Sequence, residues 1–319
     1  MAIIGQDIQK AKQLLGRGEL VGVPTETVYG LAGNALDPDA VAKIFAVKDR
    51  PYFDPLIVHV PSLGTAEEFV KEIPRQAEQL VVKFWPGALT LLLNKKEIIP
   101  DLVTSGLTRV GIRCPDHQMT LALLQQLDFP LAAPSANPFG YVSPTSAQHV
   151  QDQLGEKIPY ILDGGECRIG IESTIIGWEG GLPVIYRLGG ISLELIESVI
   201  GTVSVQPMST SQPQSPGQFI SHYSPRKKFL LGDIDELSKK LASLRLGVLF
   251  FKDSPDRRHY DTSLTLSPTG DLNEAARNLF SMLRKFDTMN IDLVLAEEVP
   301  NEGLGRAIND RLRRAASHV

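Results

Sequence analysis

The sequence predicts an α/β protein with two domains of unequal size. Short apolar runs typical of strands alternate with segments in which apolar residues recur at helical spacing. The stretch from Gln206 to Gly217 is rich in Pro, Ser and Gln, which is typical of a linker. A chain of 319 residues is also long for a single core. We therefore predict a larger domain at 1–203, a linker at 204–227 and a smaller domain at 228–319.

The larger domain is predicted to be a twisted open sheet flanked by helices. Its first helix is indicated by the spacing of Ile8, Ala11, Leu14 and Leu15, and it ends at Gly16. Strands are predicted at 20–23, 56–60, 88–93, 110–113, 130–133, 160–162, 173–178 and 184–188. Further helices are predicted at 40–45, at 66–85 with a division at Pro74, at 121–127 and at 192–200.

The smaller domain repeats the same alternation over about ninety residues, a usual size for a small domain. Strands are predicted at 228–231, 247–251 and 292–297, and helices at 234–244, 272–286 and 305–316. Strand–helix alternation of this kind indicates a Rossmann-like α/β unit.

Composition favours a globular protein in a reducing compartment. The chain is 43% hydrophobic and 22% charged, and its net charge of −5 argues against a general nucleic-acid coat protein. No apolar run approaches the roughly 20 residues that cross a bilayer, and the first residues lack the basic start of a signal peptide. Cys114 and Cys167 cannot make a disulfide framework. We predict a cytoplasmic protein without a membrane segment.

Polar and charged groups gather between Val21 and Val60, at the ends of short apolar elements. An apolar run ends in Pro24-Thr25-Glu26-Thr27, and a helical pattern ends in Lys48-Asp49-Arg50-Pro51. Open α/β sheets bind ligands at the ends of their strands. This stretch therefore predicts the mouth of a small-molecule site.

Lys48 and Arg50 are the strongest candidates for contacts with an anion. Two cations this close can clamp phosphate oxygens, and arginine can do so with two prongs. A solvated pair after a helix is the alternative interpretation. Ser135 and Asn137 follow a predicted strand and supply a hydroxyl and an amide suited to phosphate or ribose, although an ordinary Ser/Asn turn is also consistent with them.

Four further candidates lie on or beside predicted strands. His59 interrupts an apolar strand, where it is either a half-buried structural histidine or a ligand contact. Arg113 ends a strand and can bind a carboxylate bidentately if it faces a pocket rather than solvent. Thr27 offers a hydroxyl to a ligand or to its own turn, and Ser173 to a ligand or to a neighbouring strand.

The common catalytic and nucleotide-binding motifs are missing from the sequence. It contains no GxxxxGK[ST] loop, no strand-linked GxGxxG, no GxSxG and no HExxH. The cysteines and histidines have no zinc-ligand spacing, so metal ligands stay unassigned.

Taken together, the motifs resemble the YrdC-type threonylcarbamoyl-AMP synthases. The segments that carry this resemblance occur in the family's order between about Gln6 and Ile200: PTETVYGL, KDR before PLIVH, WPGALT, VGIR, APSAN and IEST. HYSP at the end of the linker and GLGRAINDRLRRAA near the C-terminus resemble the longer, two-domain branch of that family. The resemblance implies a YrdC-like fold for the larger domain.

The resemblance also implies a reaction. L-Threonine, bicarbonate and ATP would give L-threonylcarbamoyl-adenylate and pyrophosphate, a nucleotidyl transfer. The product would pass to a tRNA threonylcarbamoyl transferase that makes N6-threonylcarbamoyladenosine. ATP would act with Mg²⁺, and tRNA or double-stranded RNA is a further candidate partner. The linker would close over the site as a lid.

The resemblance assigns site residues by position. The threonine pocket would be lined by Thr27, His59, Arg113, Ala133 and Ser173. ATP would be held by Lys48, Arg50, Asp54, Arg109, Ser135, Asn137, Ser143, Arg187 and Tyr223, with Lys48 and Arg50 as the catalytic pair. Asp54 and Arg109 depart from the family, in which asparagine and threonine are usual at these positions. A magnesium-bridged contact would be compatible with Asp54.

Two alternatives belong to other classes. The first is a non-catalytic RNA-binding module, in which the cationic groove would bind tRNA. The affinity of such binding would fall steeply as the salt concentration rises. A carbamoyl-transfer domain of the hydrogenase-maturation type shares the expected fold, but we see no accompanying zinc-finger or acylphosphatase-like sequence.

Overall fold

The computed structural model describes residues 1–206, 223–253, 260 and 262–318. The predicted linker therefore lies mostly outside the described residues, and only its ends, at 204–206 and 223–227, can be placed. Within the described residues the chain forms an eleven-stranded sheet and a four-stranded sheet. This arrangement confirms the predicted α/β fold, in which a larger and a smaller sheet belong to the two parts of the chain.

The larger sheet contains the first eleven strands. They are β1 (Ile3–Gly5), β2 (Val21–Val23), β3 (Gly30–Asn34), β4 (Ile57–His59), β5 (Leu89–Asn94), β6 (Arg109–Arg113), β7 (Leu131–Ala132), β8 (Tyr160–Leu162), β9 (Thr174–Glu179), β10 (Leu182–Arg187) and β11 (Ser204–Val205). The helices are α1 (Ile8–Gly16), α2 (Pro38–Lys48), α3 (Leu63–Ala66), α4 (Arg75–Phe84), α5 (Asp101–Thr104), α6 (Gln118–Leu124), α7 (Ala147–Leu154) and α8 (Leu193–Ile200).

The smaller domain is built around a parallel sheet. It contains β12 (Lys228–Leu231), α9 (Ile234–Lys240), β13 (Leu246–Phe250), β14 (Thr262–Thr265), α10 (Leu272–Thr288), β15 (Leu293–Ala296) and α11 (Gly305–Ala315). The strand order is β12-β15-β13-β14, and all three pairings are parallel. A parallel sheet with crossover helices is the Rossmann-like arrangement that the sequence predicts.

The larger sheet is mixed, and four of its strands bring the candidate site together. Strands β4 and β6 are parallel and place His59 beside Arg113. Strand β5 is antiparallel to β6 and parallel to β9, so β5 and β9 begin at the edge where β4 and β6 end. This edge therefore collects His59, Arg113 and Ser173, which lies immediately before β9.

Some elements are missed or shifted in the sequence-based prediction. Strand β3 has the sequence GLAGN, whose glycines weaken a strand signal, yet all of its first four residues are buried. The two-residue strand β11 extends the larger sheet to Val205, two residues beyond the predicted end of the larger domain. Of the two helices predicted at 66–85, only the second is found, as α4 directly after Pro74. The first prediction is wrong, because α3 ends at Ala66 and residues 67–74 are not helical.

The two domains share one apolar cluster. Val28, Val142 and Ile171 of the larger domain pack with residues of the smaller domain such as Phe280. The two backbones approach closely at Gly170, where an added Cβ would lie 2.4 Å from Arg277 Cα and 2.5 Å from its carbonyl oxygen. The smaller domain therefore packs directly against the larger one.

No helix in the described ranges is both long enough and apolar enough to cross a membrane.

Gly170→Ala tests this close approach. Gly170 and Gly165 both have a φ of 80°, so alanine at either position costs about 1–2 kcal/mol of backbone strain. Only Gly170 faces Arg277 of α10, whereas an added Cβ at Gly165 meets nothing within 4 Å. We expect Gly170→Ala to lower the free energy of unfolding by about 1–3 kcal/mol more than Gly165→Ala in urea denaturation. Equal losses for the two variants would contradict this account of the interface.

Candidate active site

A cavity lies where the edge of the larger sheet meets the smaller domain. Its empty volume is about 580 Å³, which includes the part open to solvent. The five residues predicted for threonine binding all line it, namely Thr27, His59, Arg113, Ala133 and Ser173. Four of the residues predicted for ATP binding also line it, namely Arg50, Ser135, Arg187 and Tyr223. The structure thus brings most of the candidates together, while their roles toward a ligand stay predictions.

Arg113 is held at the end of β6 by two acceptors. Its Nη2 donates to Glu26 Oε1 at 2.6 Å, and its Nε donates to the Gly87 carbonyl oxygen at 3.1 Å. Glu26 Oε2 accepts a further hydrogen bond from the backbone N–H of Asp116 at 3.0 Å. Because the side chains of Arg113 and Glu26 are only 5% and 1% exposed, each charge is neutralised chiefly by the other.

Ser173 and Arg187 form a second connected pair in the wall of the cavity. Arg187 Nη2 donates to Ser173 Oγ, and Arg187 Nε donates to the Ser173 carbonyl oxygen, each at 3.0 Å. Ser173 Oγ also lies 2.8 Å from Thr90 Oγ1. A residue predicted to bind threonine therefore lies directly beside one predicted to bind ATP.

Arg50 is fixed at another side of the cavity by the turn that follows it. Its Nε donates to the Asp54 carbonyl oxygen at 3.0 Å and its Nη2 to the Pro55 carbonyl oxygen at 2.8 Å. The Asp54 carboxylate lies 2.8 Å from Arg50 Nη2. Asp54 is fully buried and does not line the cavity, so its placement supports a role in holding Arg50 rather than a direct contact with ATP.

His59 faces the cavity as a neutral imidazole. Burial, reinforced by the neighbouring Arg113, lowers the pKa of His59 from 6.5 to about 3. Its Nδ1 has no hydrogen-bond partner among the described residues. A neutral ring can therefore accept a hydrogen bond from a ligand or donate one to it, and it adds no charge to the cavity.

Small residues leave room next to these polar groups. An added Cβ at Gly30 would lie 3.1 Å from Ala133 Cβ, so a larger residue at either position would narrow the cavity. Thr27 Oγ1 lies 2.8 Å from Thr25 Oγ1, and Thr25 in turn donates to the Val28 carbonyl oxygen at 2.6 Å. These hydrogen bonds within the turn thus hold the Thr27 hydroxyl in a fixed position at the cavity.

Lys48 does not line the cavity. Its Nζ donates to the carbonyl oxygens of Ser135 and Asn137, which fixes the loop on which Ser135 reaches the cavity. Burial, with a further contribution from Arg50, lowers the pKa of Lys48 well below 10.5. This placement is suited to a positioning role, and the direct catalytic contact predicted from sequence stays a prediction.

Asn137 and Ser143 also lie behind the cavity wall. Asn137 Nδ2 donates to the carbonyl oxygens of Pro138 and Tyr141, and Ser143 Oγ donates to Glu172 Oε1 at 2.6 Å. Neither residue lines the cavity. Both therefore shape the surrounding loops, and their predicted contacts with ATP remain untested.

Arg109 lies away from the cavity. It begins β6, whereas Arg113 ends it, so the two residues are separated by roughly 13 Å along the strand. Arg109 Nη1 donates to Tyr186 Oη at 2.7 Å, and the residue lines a different cavity with Trp178. Arg109 is thus not brought together with the other predicted ATP residues, and its ATP contact stays a prediction. Sequence alone does not show which end of β6 faces the site.

The smaller domain supports the cavity, a role that the sequence alone does not indicate. Glu172 lines the cavity, and its Oε2 accepts hydrogen bonds from Arg311 Nε at 3.2 Å and Nη2 at 3.1 Å. Arg311 on α11 is fully buried, and its Cζ lies 5.1 Å from the centroid of the Tyr223 ring. Tyr223 stacks on Phe280 of α10 at 5.5 Å. The arginine-rich final helix was the sequence signal for this contact. Its periodicity did not show which of its arginines faces the larger domain.

The described residues offer anion-binding groups rather than a protein-built metal centre. Within residues 1–206, 223–253, 260 and 262–318, no group of three His, Cys, Asp or Glu side chains is placed to hold a metal ion. Arg50, Arg113 and Arg187 line the cavity, and two of them are beside hydroxyl or imidazole groups. Such a site is suited to a ligand that carries both a carboxylate or phosphate and smaller polar groups.

The fold and the site define an α/β protein of two domains, with a cavity in the larger domain that the smaller domain supports through Arg311 and Phe280. A family model described as Telomere recombination matches residues 13–189, and one described as Threonylcarbamoyl-AMP synthase, C-terminal domain, matches residues 191–317. The chain belongs to the threonylcarbamoyl-AMP synthase family, in its two-domain form.

Individual relatives match over nearly the full length. The chain is 42% identical to the threonylcarbamoyl-AMP synthase of Pyrococcus abyssi, over 98% of this chain and 94% of that protein. It is 40% identical to the one from Bacillus subtilis, over 97% and 92%. The crystal structure of P. abyssi Sua5 complexed with L-threonine superposes with a TM-score of 0.91 at 41% identity, covering 100% of this chain and 98% of the other.

His59→Gln tests the neutral imidazole. With a pKa of about 3 in the folded chain and 6.5 as its ordinary value, His59 binds a proton more readily when unfolded. Its presence should therefore lower the free energy of unfolding by about 1.4 kcal/mol per pH unit as pH falls from 6.5 toward 3. Urea denaturation of both proteins at about pH 7.5 and about pH 5 should show a weaker pH dependence for the variant. Parallel pH dependences would exclude a strongly lowered pKa for His59.

Proposed function

We propose that the chain is a nucleotidyltransferase that converts L-threonine, bicarbonate and ATP to L-threonylcarbamoyl-adenylate and pyrophosphate. The observation that carries the proposal is one cavity lined by all five residues predicted for threonine and by four of the nine predicted for ATP. The relatives named threonylcarbamoyl-AMP synthase support it, because they match the chain over both domains.

Threonine would bind at the edge formed by β4, β6 and β9. Its carboxylate would pair with Arg113, which is fixed by Glu26 and Gly87. Its side chain would fit near Ala133, within reach of the Thr27 and Ser173 hydroxyls and the neutral His59. The P. abyssi Sua5 structure that contains L-threonine supports a threonine site in this fold.

ATP would occupy the side of the cavity that carries Arg50, Ser135 and Arg187. The two guanidinium groups would stabilise the charge that develops on the pyrophosphate leaving group. Lys48 would contribute through the Ser135 loop that it holds. Tyr223, at the end of the predicted linker, would lie against the bound nucleotide.

The chemistry requires positioning more than a covalent enzyme intermediate. The threonine amine, after loss of a proton, would attack bicarbonate and release water to form a carbamate. A carbamate oxygen would then attack the α-phosphorus of ATP, and the bond to pyrophosphate would break. The cavity residues would align the carbamate with the α-phosphate and stabilise the leaving group.

We propose that magnesium enters as the ATP complex. Mg²⁺ typically keeps several waters and binds through substrate phosphates with one or two carboxylates. The carboxylate that lines the cavity is Glu172, and both of its oxygens accept hydrogen bonds from Ser143 or Arg311. Substrate phosphates are therefore the main magnesium ligands in this proposal.

We propose that the product passes to a tRNA threonylcarbamoyl transferase and that the reaction is cytoplasmic. Threonylcarbamoyl-adenylate is an activated acyl phosphate, and it needs an acceptor amine. The transferase would supply the adenosine of tRNA as that acceptor. Direct contact of this chain with tRNA or double-stranded RNA is not needed for its own step.

Pyrophosphate release tests the proposal. We expect the full chain to release pyrophosphate from MgATP only when threonine and bicarbonate are both present, because the adenylate needs both to form. Mass spectrometry of the mixture should detect threonylcarbamoyl-adenylate. A folded protein that is silent in every mixture would overturn the proposal and favour the RNA-binding alternative.

Arg50→Lys tests the two-pronged cation. Lysine keeps the positive charge beside Asp54 but cannot reproduce the contacts that Nε and Nη2 make together. We expect turnover to fall about ten-fold or more, with the far-ultraviolet circular dichroism unchanged. Arg245→Lys is a matched control, since Arg245 is exposed on the smaller domain and pairs with Asp292. Equal turnover of the two variants would show that Arg50 does not act on the reaction.

A further inference from the structure

Glu26 is a buried carboxylate next to the cavity that nothing in the proposed reaction uses directly. It follows Thr25 in the turn after β2 and is 1% exposed. Its two oxygens have different partners, Arg113 Nη2 at 2.6 Å and the backbone N–H of Asp116 at 3.0 Å. The carboxylate therefore connects the start of the chain's central turn to the segment after β6.

This connection decides how Arg113 is oriented. A guanidinium has five N–H donors in one plane. The Gly87 carbonyl oxygen occupies Nε, and Glu26 occupies one donor of Nη2, so the edge formed by these two nitrogens is filled. Within the described residues, Nη1 is the nitrogen of Arg113 for which no acceptor is provided. Because Arg113 lines the cavity, an arriving carboxylate would meet the Nη1 side.

Because Arg113 is buried, its positive charge needs a nearby negative charge, which Glu26 supplies. An arginine with a 5% exposed side chain is poorly solvated, and an uncompensated charge there is unfavourable. Glu26 compensates the charge from the side opposite the ligand and leaves the guanidinium in place when the site is empty. An arginine that is already oriented loses less entropy when the ligand binds.

We infer that Glu26 is a positioning residue for the substrate carboxylate, which it serves by fixing Arg113 so that Nη1 faces the cavity. The inference rests on the proposed function, since it takes L-threonine as the carboxylate ligand. Through Arg113, Glu26 would help the site to distinguish L-threonine from the same molecule without a carboxylate. Glu26 does not itself touch the ligand.

The test compares the binding of two ligands to the full-length chain by isothermal titration calorimetry. L-Threonine carries the carboxylate, whereas L-threoninamide replaces it with a neutral amide of similar shape. We expect the wild type to prefer threonine by about ten-fold or more. Glu26→Gln keeps the shape but removes the charge and sets an amide donor against the Asp116 N–H or the Arg113 donor. We expect it to bind threonine about ten-fold more weakly and threoninamide within about two-fold of wild type.

Asp116→Asn is the matched control. It removes a nearby carboxylate that pairs with Arg168 at 2.5 Å in an exposed position, and it leaves the backbone N–H that Glu26 holds. We expect its preference for threonine over threoninamide to equal that of the wild type. A general disturbance of this segment would weaken both ligands together, in Glu26→Gln and in the control.

The outcomes separate the inference from the proposed function. Equal weakening of both ligands in Glu26→Gln, or no loss of threonine affinity, overturns the inference while the wild-type preference stands. A wild type that binds threonine no better than threoninamide contradicts the proposed function itself. If Glu26→Gln does not fold, Glu26→Asp keeps the charge on a shorter side chain and should show an intermediate preference. An unchanged preference in Glu26→Asp would then overturn the inference.

Discussion

The site depends on three buried arginines, each compensated by a buried carboxylate. Arg113 pairs with Glu26, Arg50 with Asp54 and Arg311 with Glu172. Removing one partner from such a pair typically costs about 3–5 kcal/mol, because the other charge is left in a poorly solvated place. The same burial keeps water away from the guanidinium groups and strengthens their attraction to an anionic ligand. The cavity therefore presents oriented guanidinium N–H donors to an anionic ligand in a chain whose net charge is −5.

The sheet and the domain junction make these pairs possible. Parallel pairing of β4 and β6 brings His59 and Arg113 to one edge, where β9 begins. The smaller domain closes the other side, since Arg311 on α11 reaches Glu172 and packs under Tyr223. The close approach of Gly170 to Arg277 allows this contact. The smaller domain is thus part of the cavity's support, although its own sheet carries none of the lining residues.

Local sequence patterns predicted the elements well, and the contacts between elements much less so. Apolar periodicity located most helices and strands, but the glycine-rich β3 gave little strand signal despite its central place in the sheet. The residue types at the cavity followed from motifs such as PTETVYGL and APSAN. Which of them reach the cavity did not, because that depends on which end of a strand borders the site: Arg113 reaches the cavity, and Arg109 lies at the opposite end of the same strand.

The compensating carboxylates were the least predictable feature. Glu26 and Arg113 are separated by 87 positions, and Glu172 and Arg311 by 139. No local pattern marks these two pairs, since each forms only when distant strands and helices pack, whereas Asp54 lies four positions after Arg50. Lys48 shows the same limit, because its sequence context indicates a phosphate contact, whereas its Nζ binds two backbone carbonyl oxygens.

A crystal structure of the full chain with L-threonine and a non-hydrolysable ATP analogue is the most direct test. The account predicts that the threonine carboxylate lies within hydrogen-bond distance of Arg113 Nη1, with the Glu26–Arg113 pair intact. It also predicts that the phosphates lie beside Arg50 and Arg187. A threonine carboxylate bound elsewhere, or an Arg113 that leaves Glu26 to reach it, would contradict the central claim that buried pairs preset the cavity for its ligand.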